Sequence, residues 1–150
     1  YRASVNGVEI GEIAVDSAIA GSLGIPVALV TGCSEAVGEA KKFLGSVEAV
    51  TVKYGLARTS AYCLSPGKTS DLIREAARRA VENIAKGKES LNVFKFEEPV
   101  EVMVEYMHPN YADRMKGMHG VERIGSRTII CRADRFIDAA RMIGWAGLKI

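Results

Sequence analysis

The sequence is poor in the residues that most catalytic motifs need. It has only two histidines, His108 and His119, and neither stands in H-E-x-x-H or a comparable spacing with a carboxylate or thiol. A compact zinc motif of that kind is therefore missing. Cysteine is sparse too: Cys33, Cys63 and Cys131 are odd in number, far apart and outside any C-x-x-C pair, which argues against a disulfide framework and a zinc knuckle. Such usage suits a reducing compartment, and a cytoplasmic location is expected. There is no G-x-S-x-G elbow. The glycines of Gly21-Ser22-Leu23-Gly24 and Gly32-Cys33-Ser34 match neither G-x-x-x-x-G-K-[ST] nor G-x-G-x-x-G, so they read as helix stops and strand-to-helix turns rather than phosphate cradles. The apolar run near the start is broken by Glu9, Glu12 and Asp16, which excludes a signal peptide or a membrane span there. Neither sign of charge dominates: 20 basic and 18 acidic residues leave a net charge of +2, scattered along the chain. Without a basic stripe, nucleic acid is not an expected partner, and neither is a membrane.

What is present is enough for one compact domain with a continuous core: 48% of the 150 residues are hydrophobic and 25% charged. Apolar runs of strand length alternate with helix-patterned stretches, which predicts an α/β fold, three-layered with a mostly parallel sheet and a C-terminal strand, hairpin and helix portion. Residues 5–10 read as a short strand around the Asn6-Gly7 turn signal, and residues 11–23 as a helix closed by Gly24, with Pro26 beyond it. Residues 25–30 and 47–52 read as buried strands, and the helix between them, with Ser34 as N-cap and an end near Leu44, makes them parallel neighbours. The longest helix is expected to start at Lys68-Thr69-Ser70-Asp71 and end at Lys86-Gly87. Its predicted core face is Leu72, Ile73, Ala76, Ala77, Ala80, Val81 and Ile84, with Arg74, Arg78, Arg79 and Glu82 toward water. After the linker-like stretch 87–92, where a subdivision is possible, Val100, Val102, Val104 and Tyr106 alternate with polar residues as a half-wet strand. A short helix over 111–116, a hairpin of 121–124 with 128–131 about Gly125-Ser126, and a closing helix over 133–145 complete the pattern.

Three places hold candidate chemistry. Cys33 follows a strand and precedes a helix start, where amide dipoles favour a thiolate; it is either a nucleophile lacking a nearby base or a small buried side chain in a βα turn. The stretch 52–61 comes off a strand end, the position where α/β proteins bind ligands, and its cations Lys53 and Arg58 could hold a substrate carboxylate; a solvated loop is the alternative. Glu12 sits at a helix start, where a carboxylate favours the helix dipole by about 0.3–1 kcal/mol without any further role.

The order of segments NGVEIGEIAVDSAIAGSLGIPVALVTG, VKYGLARTSAYCLSP, IREAARRAVENI and HGVERIGSRTIICRADRFIDAARMI resembles the D-aminopeptidase (dipeptide-transport-associated) family of zinc metallopeptidases. The likeness is to its C-terminal half and covers nearly all of the chain. It implies a metal-dependent aminopeptidase that releases N-terminal, D-configured amino acids from short peptides, with two zinc ions and subunits assembled into rings. In that family the glutamate of the N-G-x-x-x-G-E segment binds the metal, and the matching residue here is Glu12. The family's other ligands, an Asp and Glu pair and two histidines, precede this segment; His108 and His119 follow it and do not match them. Residue 1 is tyrosine rather than methionine, and residues 1–150 are expected to be the C-terminal part of a longer protein, with the remaining half supplied in cis or as a second chain. A non-catalytic scaffold or assembly domain of the same family is the alternative, and a thiol-dependent hydrolase using Cys33 a third.

Overall fold

The computed structural model describes residues 2–86 and 93–146; the linker-like stretch 87–92 lies outside the described residues. The chain divides into two units, one made of Tyr1–Leu23 with Lys95–Ile150 and the other of Gly24–Phe94.

The first unit is built on a five-stranded sheet of order β2-β1-β6-β8-β7, from β1 (Arg2–Val5), β2 (Val8–Ile10), β6 (Val100–Glu105), β7 (Val121–Arg123) and β8 (Thr128–Ala133). Every pairing in it is antiparallel. This corrects the expectation of a mostly parallel sheet. For β1–β2 and β7–β8 the physical reason is connection length: Asn6-Gly7 joins the first pair and residues 124–127 the second, whereas a parallel pair needs a crossover of a dozen or more residues. At the first turn Asn6 (φ +50°) and Gly7 (φ +78°) both take positive φ, as a two-residue type I′ hairpin demands.

Register explains which face of this sheet is dry. Ile10, Ala3, Val104 and Ile129 lie opposite one another in one row, and Val5, Val102 and Cys131 in the next; all are buried. Helices α1 (Glu12–Ser22) and α5 (Phe136–Met142) pack against each other, α5 lies on β6 and β8, and Ala14, Ala18, Phe136, Ala139 and Ala140 add to the core. Burying each valine fully contributes roughly 1.5–3 kcal/mol. The alternate residues carry charge, with Arg132 on β8 donating to Glu101 of β6 at 2.8 Å and to Glu122 of β7 at 3.2 Å. The alternation read from Val100, Val102 and Val104 is thus realised, these three being 3%, 0% and 0% exposed. The short helix α4 (Pro109–Arg114) begins earlier than expected because Pro109 suits the first helical turn, and α5 is shorter than the stretch 133–145.

The second unit holds β3 (Leu29–Cys33), α2 (Ser34–Leu44), β4 (Glu48–Ala57), β5 (Ser60–Cys63) and α3 (Pro66–Ala85). Here β3 and β4 are parallel neighbours across α2, as expected, while β4 and β5 pair antiparallel. Glu48 on β4 meets Arg79 of α3 at 3.0 Å, and Gly55 on the same strand lies beneath the Glu35 carboxylate of α2. Gly32, which pairs with Thr51, lies against Ala36 of α2, and Thr51 is three positions from Glu48 in a regular stretch of β4, so the two face opposite sides of the sheet and α2 and α3 cover opposite faces. Three layers exist in this unit alone.

The start of α3 is set by Ser65, whose Oγ accepts from the Lys68 N–H at 3.4 Å, followed by Pro66 in the first turn; the expected start at residue 68 is corrected accordingly. Its core face is narrower than the hydrophobic pattern predicts: Ala76 and Ala80 are buried, whereas Leu72, Val81 and Ile84 are 39%, 65% and 48% exposed. The small side chains of Ala76 and Ala80 form the buried stripe of the helix, and the larger apolar residues lie outside it.

Candidate metal and substrate sites

Glu12 is the first residue of α1, directly after the β1–β2 hairpin. Gly11 caps the helix with extended backbone and no side-chain bond. The Glu12 side chain is exposed and borders a shallow depression of about 300 Å³ with Val15, Asp16 and Trp145. Asp16 stands one helical turn on, and side chains four apart share a helix face. Two carboxylates therefore open onto one hollow. Sequence reasoning singled out Glu12 and passed over Asp16, although the four-residue spacing was visible.

Zinc takes three or four ligands in compact geometry. Among the described residues no group of three or more His, Cys, Asp or Glu side chains is placed to hold a metal ion. Glu12 and Asp16 supply at most part of such a site, and the residues present do not complete one. His108 is exposed at the start of α4 with its ring 6.3 Å from that of Tyr111, and His119 is exposed ahead of β7; neither joins Glu12 in a metal-binding group among the described residues.

In the second unit, Lys53 and Arg58 border one cleft of about 410 Å³, together with Cys33, Glu35 and the small residues Gly55, Ala57 and Ala61. The cleft lies where the parallel strands β3 and β4 pass their C-terminal ends, next to the start of α2. Cys33 precedes that helix, half-buried. The Ser34 hydroxyl donates to Glu35 Oε1 at 2.8 Å. That bond, the Glu35 amide and the Cys33 thiol together hold the Glu35 carboxyl below the usual carboxylate range. The thiol thus faces a carboxylate rather than an imidazole base, a poor setting for a nucleophile. Glu35 is a site residue that sequence reasoning missed; its position two residues after Cys33 at a helix start was the available signal.

A two-unit α/β protein with a carboxylate pair at one helix start and a charged cleft at a strand end is the class that these features define. The D-aminopeptidase family model matches residues 1–145, and the chain belongs to that family. It is 28% identical over 136 residues to a D-aminopeptidase of Bacillus subtilis (strain 168), an alignment covering 90% of this chain and 48% of the relative. Its fold matches that of the Zn-dependent D-aminopeptidase DppA from Bacillus subtilis, described as a self-compartmentalizing protease, with a TM-score of 0.82 at 24% identity over 95% of this chain and 51% of the other. The chain thus spans about half the length of the relatives it matches. No helix among the described residues is long and apolar enough to cross a membrane.

Proposed function

We propose that this chain is part of a zinc-dependent aminopeptidase that releases N-terminal, D-configured amino acids from short peptides, and that Glu12 is one of its metal ligands. The observation that carries the reading is the family match over residues 1–145, with Glu12 exposed on a hollow rather than tied into a structural bond. The other ligands come from outside these residues, in cis or from a second chain, and the complete site takes two zinc ions. In the second unit Lys53 and Arg58 anchor the carboxylate of the peptide, since two cations bordering one cleft suit that group. The cytoplasm fits the free cysteines.

Homo-oligomeric assembly, in a ring, belongs to the same proposal. It is supported by the exposed apolar side of the β4–β5 hairpin, where Tyr54, Leu56 and Tyr62 are 45%, 73% and 60% exposed. A non-catalytic assembly role is the second reading that this surface favours. One experiment separates the two: zinc content and release of the N-terminal residue from a D-alanyl dipeptide, measured on the 150-residue chain and on a protein carrying a preceding segment with the Asp, Glu and His ligands. The expected result is weak zinc binding and no turnover by the chain alone, with both restored in the longer protein. Turnover by neither supports the assembly role, and robust zinc-dependent turnover by the chain alone places the site elsewhere.

A further inference from the structure

The end of α5 is built to place one large aromatic side chain. Gly144 takes φ +78°, the Trp145 N–H donates to the Ala140 carbonyl at 2.8 Å, and the Gly144 N–H donates to the Arg141 carbonyl at 3.2 Å. Together the two bonds and the left-handed glycine make a Schellman stop. The Ala146 N–H also reaches the Ala140 carbonyl, at 3.1 Å, and Ala146 is buried, so the backbone is pinned on both sides of Trp145. Helix α5 packs on α1, and the stop turns the next side chain toward the start of that helix. Trp145 there borders the hollow of about 300 Å³ with Glu12, Val15 and Asp16. Its side chain is only half-buried, and a rigid aromatic left open on a hollow is surface that a ligand can cover. The hollow has two kinds of wall: Glu12 and Asp16 supply negative charge, and Trp145 with Val15 supplies an apolar side.

We infer that Trp145 is a specificity-determining residue, its indole and Val15 forming the wall that receives the side chain of the substrate's N-terminal residue. The inference rests on the proposed role of Glu12 as a metal ligand and adds which substrates the site prefers. In a metallo-aminopeptidase the scissile carbonyl is held at the metal. That carbonyl carbon is bonded directly, at about 1.5 Å, to the Cα that carries the N-terminal side chain. A wall bordering the same hollow as a metal ligand therefore meets that side chain before any other part of the peptide. Because the wall is apolar, it favours apolar side chains by the surface they remove from water. The neighbouring carboxylates of Glu12 and Asp16 disfavour acidic ones.

The test uses the longer protein carrying the remaining ligands, with dipeptides that differ only in the N-terminal residue: glycyl-, D-leucyl- and D-aspartyl-D-alanine. The unsubstituted protein should turn over the D-leucyl peptide with a kcat/KM at least about tenfold above that of the glycyl one, and the D-aspartyl peptide most slowly. Trp145→Ala should raise KM for the D-leucyl peptide and remove its advantage, while glycyl turnover stays within about twofold. Trp145→Phe should keep most of the advantage. Zinc content and melting temperature should be the same in all three proteins. By NMR, the indole N–H resonance that is lost in Trp145→Phe should shift further on addition of D-leucine than of glycine. A uniform loss of turnover across the three peptides, or a loss of zinc, makes Trp145 a support for α1 and overturns the inference while the metal reading stands. A D-leucyl advantage that survives Trp145→Ala, or an indole resonance that D-leucine leaves in place, overturns it as well. Absence of zinc-dependent turnover in the unsubstituted longer protein overturns the metal reading itself and the inference with it.

Discussion

Asn6 and Glu101 hold each other by a reciprocal pair of hydrogen bonds: the Asn6 N–H donates to the Glu101 carbonyl at 2.9 Å, and the Glu101 N–H donates to Asn6 Oδ1 at 2.8 Å. The Asn6 Nδ2 also donates to the Glu97 carbonyl at 2.8 Å. One side chain thereby ties the turn of the β1–β2 hairpin to the start of β6, and that hairpin leads directly into Glu12. Asn6→Ala removes the side-chain partners and places a residue at φ +50° that lacks asparagine's tolerance for it. The expected cost is about 1–3 kcal/mol, or a melting temperature lowered by about 2–4 °C for each kcal/mol. Arg2→Ala, which removes an exposed ion pair to Glu9, is the comparison and should move the transition far less. Differential scanning calorimetry of the two variants makes the check.

Much of this arrangement is legible in the sequence because it is local. Asn6-Gly7 encodes its own turn, Val100, Val102 and Val104 encode one dry face, and the segment between the parallel strands has the length of a crossover helix. What was misread depends on partners distant in sequence. Strand β6 pairs β1 across the whole second unit, and no periodicity announces such a neighbour; the sheet was therefore expected to be mostly parallel. The apolar residues Leu72, Val81 and Ile84 repeat at helical spacing, yet the buried stripe of α3 is set by Ala76 and Ala80, and which stripe of a helix is covered is a tertiary fact. In the stretch 52–61, expected to come off a strand end, Lys53, Tyr54 and Arg58 do not alternate cleanly and so conceal the β4–β5 hairpin, although its strands are only two residues apart. At the candidate sites, Glu12 was reached through resemblance to a family, Lys53 and Arg58 through their place at a strand end, and Glu35 through neither, because its position over Gly55 is a tertiary fact.

The three thiols should react in a fixed order. Cys63 is exposed, Cys33 is half-buried, and Cys131 is buried in the sheet core with its thiol pushed up by desolvation. Because thiolate character and access together set reactivity, an Ellman titration of the native chain should show a fast phase from Cys63, a slower one from Cys33, and no reaction at Cys131 until denaturant is added. Mass mapping of the labelled peptides identifies each phase. Native labelling of Cys131 ahead of Cys33 would contradict the packing of β6 against β8.

Acid stability should depend on Arg78. Its guanidinium bridges Glu75 and Glu82 on the exposed face of α3, and bonding to Arg78 is the main reason that both carboxyls lie below the ordinary glutamate range. A carboxyl whose folded pKa is depressed adds stability above its unfolded value, about 4.3, and that contribution disappears as pH falls through the folded value. Arg78→Gln should therefore melt at a lower temperature than the unsubstituted chain at pH 7, with the gap closing below about pH 4. Added salt should narrow the gap at pH 7, since the groups are exposed to solvent. A gap that stays constant with pH would assign the effect of the substitution to helix propensity instead.

Glu12 and Asp16 border the same hollow, yet they should differ sharply when substituted in the longer protein carrying the remaining ligands. If Glu12 bonds the metal directly, Glu12→Gln keeps the shape of the side chain and loses the charge and lone-pair strength that hold the ion, so bound zinc and turnover of a D-alanyl dipeptide should both fall by more than about 100-fold, beyond the roughly 10–100-fold typical of losing an outer hydrogen-bonded partner. Asp16→Asn removes only a nearby charge in an open, wet depression. That field is worth about 1 kcal/mol at 4 Å in water, equivalent to about a fivefold change in affinity. The fold should survive both changes, because an acid in the first turn of a helix contributes about 0.3–1 kcal/mol through the dipole. Metal content by mass spectrometry, turnover and melting temperature measured on the same preparations separate the possibilities. Equal and small effects of the two substitutions would leave Glu12 as a carboxylate that only stabilises the start of α1.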